Sequence, residues 1–206
     1  MDVDCHCCFI PSDVLERLSK DKNLSRAQRK AFVDALDSAV AMRARRVKTR
    51  VPARPAVTRG VGAVRPPQIT VYDCARTMML PGSPMADVAA SSDPTVQQTA
   101  SVTAALVKFY KEVFGRNSVD NRGMVLQSSI HYGVSYNNAF WNGTQMTYGD
   151  GDGNFFVDFT RGADVIAHEL THGVVQHSAR LAYQGEAGGL NESLADVFGS
   201  MFRLLI

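Results

Sequence analysis

Asp164-Val165-Ile166-Ala167-His168-Glu169-Leu170-Thr171-His172 is the stretch that decides how this chain reads. Apolar residues surround two histidines four positions apart, which is the pattern of a helix with one polar face. Positions four apart on a helix differ by about 40° in azimuth, so His168 and His172 lie on one side, a turn apart. Two imidazoles so placed can share one zinc ion. Glu169 sits beside the first of them, near the ion without ligating it, and can take a proton from a water held there.

A catalytic zinc needs a third protein ligand and keeps a position open for water. The helix is expected to run to about Arg180, and Gly185, Gly188 and Gly189 to form a loop. A second helix is then expected to begin at Leu190-Asn191-Glu192-Ser193-Leu194-Ala195-Asp196-Val197-Phe198. Glu192 and Asp196 share a face of it. Glu192 is the candidate third ligand. Asp196 is the candidate to hold the free nitrogen of a ligand histidine and fix its tautomer.

Other polar clusters read as structural. Asp150-Gly151-Asp152-Gly153-Asn154 starts like a calcium loop, but that loop needs Gly at its sixth position and Glu at its twelfth, where this chain has Phe155 and Arg161. A tight turn between strands is expected instead. His177, five residues past His172, falls about 140° round the helix and off the metal face. His131 has no partner visible in the sequence. Asn142-Gly143-Thr144 fits the glycosylation pattern, which matters only in a secreted chain.

Outward from the motif, the 206 residues carry a net charge of +2, with 45% apolar and 20% charged residues, a globular and not a disordered composition. No apolar run approaches the ~18 residues of a membrane span. The first ten residues have neither a basic start nor a long apolar stretch, so no secretory signal is readable. So small a net charge does not by itself imply a nucleic-acid partner. Of four cysteines, Cys5, Cys7 and Cys8 crowd the start and Cys74 stands alone, too sparse for a disulfide framework. Cys5-His6-Cys7-Cys8 holds zinc-type ligands with no second pair downstream, so reduced thiols are expected.

Residues 12–47 read as two helices, with Ser12 capping the first and Ser25 opening the second after a break at Asn23-Leu24-Ser25. From Arg43 to Gln68 come eight basic residues, no acidic one, and interleaved prolines and glycines. That stretch is expected to be an extended linker open to proteolysis. No aromatic platform accompanies it to bind nucleic acid. Ile69–Asp73 is expected as a strand. Pro94–Phe114 is expected as a helix capped by Asp93 and ended by Gly115, with Val102, Leu106, Phe109 and Val113 on one face. Val125–His131, Gly133–Trp141 and Thr144–Tyr148 follow as strands. Strands followed by helices give an α+β fold.

Four separate motifs in order resemble the thermolysin-like metallopeptidases. They are Asn137-Asn138-Ala139-Phe140-Trp141-Asn142-Gly143, Tyr148-Gly149-Asp150-Gly151-Asp152-Gly153, the His168–His172 motif, and Gly189-Leu190-Asn191-Glu192-Ser193-Leu194-Ala195-Asp196. The resemblance covers roughly residues 69–206. It implies a strand-rich catalytic domain with a zincin-type helix and the start of a helical second domain. It implies that His168, His172 and Glu192 bind zinc, that Glu169 is the general base, and that Asp196 orients His168. Tyr183 matches the tyrosine that stabilises the oxyanion. Asn138 and Ala139 match the edge strand that pairs with the substrate backbone. Asp164 matches a position that contributes to a calcium site.

Phe9-Ile10-Pro11-Ser12-Asp13-Val14-Leu15 resembles the Phe/Tyr-Ile-Pro-Pro-x-x-Leu element of the short propeptides in the protealysin-like branch, with Ser12 in place of the second proline. The resemblance then implies a propeptide over 1–58, a catalytic domain over 59–180 and the beginning of the helical domain over 181–206. It implies a zinc-dependent endopeptidase made as a precursor, acting on proteins or peptides as a monomer, with its own propeptide as partner and neither nucleic acid nor membrane involved. The alternative to reduced, unligated thiols is that one of Cys5, Cys7 or Cys8 ligates the zinc of the precursor and keeps it latent. Relatives are often secreted; without a readable signal, cytoplasmic location or non-classical export are the other expectations. The family's second domain supplies further oxyanion and specificity residues, and a chain ending at Ile206 lacks them. A truncated, inactive zinc-binding fragment, or an inhibitory or interaction protein built on the propeptide, is therefore the alternative.

Overall fold

The computed structural model describes residues 8–48 and 66–206, without the side chains of 42–48. Two helices lead, α1 (Ser12–Lys20) and α2 (Arg26–Lys48). The break between them is built as its residues suggest. Ser25 Oγ accepts from the Gln28 amide at 3.2 Å while the Ser25 amide donates to Gln28 Oε1 at 2.9 Å, a reciprocal cap. Leu15, Phe32, Ala35 and Ala39 are buried inside the hairpin and against the rest of the molecule.

One expectation is corrected here. The linker was to begin at Arg43, but α2 continues to Lys48. Alanine, methionine, arginine and lysine are all good helix formers, so the basic run starts as helix. Its remainder, 49–65, lies outside the described residues, as do Cys5 and Cys7.

A five-stranded sheet follows: β1 (Ile69–Asp73), β2 (Ser83–Pro84), β3 (Leu126–Ile130), β4 (Ala139–Trp141) and β5 (Met146–Tyr148). Its order is β2-β1-β3-β5-β4. β1, β3 and β5 run parallel, while β2 and β4 are antiparallel edges. The long helix α3 (Pro94–Phe114) crosses between β2 and β3. Asp93 Oδ1 accepts from the Thr95 amide at 2.8 Å, Pro94 opens the helix, and Gly115 ends it at φ 64°. Val102, Leu106 and Phe109 face the core, whereas Val113 is exposed.

The strand expected over Gly133–Trp141 shortens to Ala139–Trp141. His131, Gly133 and Ser135 all have positive φ, so the chain turns repeatedly before it can pair. Two more helices close the fold, α4 (Ala163–His177) and α5 (Gly185–Arg203), joined to the sheet through a 3-10 turn at Phe159–Arg161. The architecture is α+β, as expected. Trp141 Nε1 donates to Gln176 Oε1 at 2.8 Å and Gln176 Nε2 donates to the Gly143 carbonyl at 2.9 Å, pinning α4 along the β4–β5 hairpin. Among the described residues no helix is long and apolar enough to cross a membrane.

Candidate metal centre

Helix α4 is buried over most of its length, and His168 and His172 are 3% and 0% exposed. Their Nε2 atoms face each other at 3.0 Å. Glu192 Oε2, from α5, stands 3.3 Å from His168 Nε2 and 3.6 Å from His172 Nε2. Among the described residues these three form the one cluster of candidate metal ligands. Zinc bonds of about 2.0–2.1 Å in tetrahedral array set ligand atoms roughly 3.3 Å apart, so the donor set and its spacing fit zinc.

Both rings have their tautomer fixed from behind. His168 Nδ1 donates to Asp196 Oδ1 at 2.9 Å, the partner expected from the sequence. His172 Nδ1 donates to Asn191 Oδ1 at 3.0 Å, a role the sequence reading missed. Each ring is thereby left with an Nε2 lone pair for a cation. Burial opposes charge on His168, but Asp196 and Glu192 outweigh it and hold its pKa up at about 10 in the metal-free site. A cation between the rings takes the place of that proton.

Helix α5 can bring Glu192, Asn191 and Asp196 to α4 because Gly199 lies against it. A Cβ at Gly199 would sit 2.9 Å from the Asp164 carbonyl oxygen and 3.5 Å from the His168 amide nitrogen. The loop expected over Gly185–Gly189 is instead the first turn of α5. Helix α4 stops at His177, not Arg180, which has φ 54°.

Glu169 is fully buried next to the cluster. Tyr136 and Tyr148 are packed near it, and burial first, then neighbouring acidic groups including Glu169, hold both phenols above their ordinary range. The Tyr183 ring lies 6.2 Å from that of His172. Asp164, expected at a calcium site, accepts from Arg203 Nη1 at 2.8 Å, so a guanidinium already balances that carboxylate.

Asn138 and Ala139, the expected substrate-pairing edge, are buried under the chain's own front. The Phe9 amide donates to the Ala139 carbonyl at 3.1 Å and the Ile10 amide to Asn138 Oδ1 at 2.8 Å. Asn138 Nδ2 returns a bond to the Ile10 carbonyl at 3.1 Å. Cys8 bridges to Phe140 in antiparallel sense. The Phe9 ring packs edge-on against His168 and Phe159, with centroids 5.5 and 6.2 Å away.

His131 was left without a partner by the sequence. It is clamped between Asp150, at 2.6 Å from Nδ1, and Asp93, at 2.8 Å from Nε2. It lies outside the metal cluster and ties the cap of α3 to the turn after β5.

A model of the thermolysin metallopeptidase catalytic domain matches residues 66–176. Thermolysin of Bacillus sp. strain EA1 is 45% identical over 148 residues, 70% of this chain and 26% of its own. Protease PrtS of Photorhabdus sp. strain Az29 is 46% identical over 136 residues, 65% of this chain and 37% of its own. This chain thus spans about a quarter to just over a third of the length of these relatives. The solved precursor of protealysin, a metalloproteinase from Serratia proteamaculans, superposes with a TM-score of 0.78 at 35% identity, over 96% of this chain and 55% of that one. A family model running through more than half of these 206 residues makes the chain a member of the thermolysin metallopeptidase family.

Proposed function

We propose that this chain carries the zinc-binding half of a metalloendopeptidase held in a latent, precursor form. The observation behind the reading is the spacing of His168, His172 and Glu192, with three ligand atoms 3.0 to 3.6 Å apart. Zinc, when bound, lowers the pKa of a water to about 7 and polarises a carbonyl. The protein's own groups do the rest. Asn138 and Ala139 hold an extended substrate as an added antiparallel strand. Glu169 takes the proton from water as it adds to the scissile carbonyl and delivers it to the leaving nitrogen. The Tyr183 hydroxyl donates to the oxygen that becomes negative. Asp196 and Asn191 keep both imidazoles in the ligating tautomer.

The same reading divides the chain into a propeptide over 1–58 and a catalytic part that follows. Residues 8–10 lie along the edge a substrate would use, which accounts for latency. Export from the cell and action as a monomer are carried by the family resemblance. A calcium ion at Asp164 would have to compete with the Arg203 guanidinium.

The test is zinc content together with cleavage of casein, before and after the chain is cut within residues 49–65. One equivalent of zinc is expected in both forms, with turnover only in the cut form. Glu169→Gln is expected to keep its zinc and lose roughly 10²-fold or more in rate. Zinc without turnover in the cut form favours the alternative of an inactive zinc-binding fragment or an inhibitory protein. Normal turnover by Glu169→Gln removes Glu169 from its role.

A further inference from the structure

We propose that the guanidinium of Arg203 stands where the family resemblance puts a calcium ion, so that the seam between α4 and α5 is closed by the chain's own cation and does not respond to calcium. The proposal is independent of the zinc reading above, because its test reads calcium alone.

The seam is one stripe of α5. Glu192, Asp196, Gly199 and Arg203 follow one another at intervals of four, three and four residues, which keeps them on one face of a helix. Each meets α4 at its own level. Glu192 reaches both imidazoles, and Asp196 holds His168 Nδ1. Gly199 lies against the Asp164 carbonyl, and Arg203 Nη1 donates to Asp164 Oδ2 at 2.8 Å. Asn191, just before Glu192, bonds His172. The two helices therefore run antiparallel, and Arg203 closes the seam about 16 Å along α5 from Glu192.

The two charges suit the helix ends they occupy. Asp164 is in the first turn of α4, whose cap residue Gly162 offers no side chain to the free amides there. A carboxylate at that end is favoured by the helix dipole. Arg203 is in the last turn of α5, where a cation is favoured. Because the helices are antiparallel, these two ends meet. Each charge is well placed on its own helix and is paired across the seam. A divalent ion brought to the same carboxylate oxygen would be repelled by the guanidinium at contact distance.

The donor set does not fit calcium, which takes about six to eight oxygen ligands. Asp164 brings one carboxylate, with one oxygen already committed to Arg203. The other acidic side chains of the two helices are engaged elsewhere. Glu169 is buried beside the metal cluster, Glu192 and Asp196 are on the imidazoles, and Glu186 is in the opposite, first turn of α5. Among the described residues, the one group of three or more His, Cys, Asp or Glu side chains close enough to share an ion is His168, His172 and Glu192, and Asp164 is not in it. The side chains of Arg203 and Asp164 are 67% and 28% exposed, so the pair adds little stability of its own. Its effect is on which cation the seam accepts.

The experiment compares the full chain with Asp164→Asn. For each, Tm is measured in millimolar calcium chloride and in sodium chloride of equal ionic strength. The calcium-induced shifts of the two proteins are expected to agree within about 1 °C, because Asp164 takes no calcium, and the comparison cancels any ion bound elsewhere. A larger rise in wild type overturns the proposal. Arg203→Glu removes the fixed cation and sets a second carboxylate beside Asp164. It is expected to gain a calcium-dependent rise of about 3 °C or more, whereas Arg203→Lys, which keeps the charge, gains none. An Arg203→Glu protein that responds to calcium no more than wild type overturns the proposal. Calorimetric titration with calcium gives a reading that needs neither Arg203 variant to fold. Wild type and Asp164→Asn are expected to give the same heats, and a binding heat present only in wild type overturns the proposal. A chain that binds no zinc fails the reading of the metal centre and leaves these comparisons standing.

Discussion

At the scale of single residues, the two rings of the candidate metal cluster are unequal in what holds them. Asp196 is a largely exposed carboxylate, but Asn191 is 1% exposed and its Oδ1 has His172 Nδ1 in line. Asn191→Ala leaves that imidazole free to take the wrong tautomer. Zinc affinity is expected to fall about 10- to 100-fold in competition with a chromophoric chelator, with Asn191→Asp restoring most of it. His131 makes a different prediction. Asp150 above all, and Asp93 after it, raise its pKa to about 9 against the opposing effect of burial, while Arg76 sits 3.5 Å from Asp150 on the outer side. A pKa above the unfolded value of about 6.5 means that the charged form stabilises the fold. That contribution is complete below about pH 6.5 and disappears as pH rises through 9. Wild type is expected to lose about 1–2 kcal/mol more than His131→Gln between pH 6.5 and 9.5, a difference of roughly 4 °C in Tm. Parallel pH curves for the two proteins would rule the clamp out. Neither Asn191 nor the His131 clamp was legible in the sequence. Both depend on partners brought by other elements, 19 and 38 residues away for Asn191 and Asp93, and no local spacing encodes that.

At the scale of elements, the sequence was most legible where a rule is local. The Asp93-Pro94 start and Gly115 stop of α3, the Ser25 cap of α2 and the four-residue spacing of His168 and His172 all act within one or two turns. Legibility failed where packing overrides propensity. Gly185, Gly188 and Gly189 read as a loop, yet they open α5, because the glycine cost of about 1 kcal/mol each is offset by docking on α4. The glycine that matters most in that docking is Gly199. Its missing side chain lets α5 approach Asp164 and His168 closely enough for Glu192 to reach both imidazoles. Gly199→Val is expected to cost about 1–3 kcal/mol and, by pushing the helices apart, to lower metal affinity at least tenfold. Gly189→Ala, where a Cβ meets nothing within 4 Å, is the control and is expected to be neutral or to stabilise by up to about 1 kcal/mol. Melting curves and metal titrations on the pair separate close approach from a general dislike of substitution in α5.

At the scale of the whole molecule, the front hairpin and the sheet are joined at two places that have different jobs. Phe32 of α2 is fully buried and meets Phe155 and Phe156 edge-on, with centroids 5.9 and 6.4 Å away, which holds the hairpin on the body. Residues 8–10 then cover the edge of β4, and Phe9 fills the space beside His168 and Phe159. The first contact supplies affinity; the second denies the edge to any other strand. The two are separable by mutation. Phe9→Ala removes the ring from the metal face and leaves the hairpin seated by Phe32, so the fold is expected to lose only about 1–3 kcal/mol. The front strand keeps its backbone bonds to the edge but loses the anchoring ring, so it should give way more readily to a competing strand. A dipeptide hydroxamate with an aromatic side chain, titrated into the zinc-loaded chain and followed by calorimetry, is expected to bind at least tenfold more tightly to Phe9→Ala than to wild type. Phe32→Ala loosens the hairpin as a whole. It is expected to increase proteolysis of α1 and α2 as well as to open the edge, whereas Phe9→Ala opens the edge alone. Equal hydroxamate affinity in wild type and Phe9→Ala would mean that the front strand does not compete for the cleft, because a strand that occupies a site must raise the apparent dissociation constant of its rival by the reciprocal of the fraction left open.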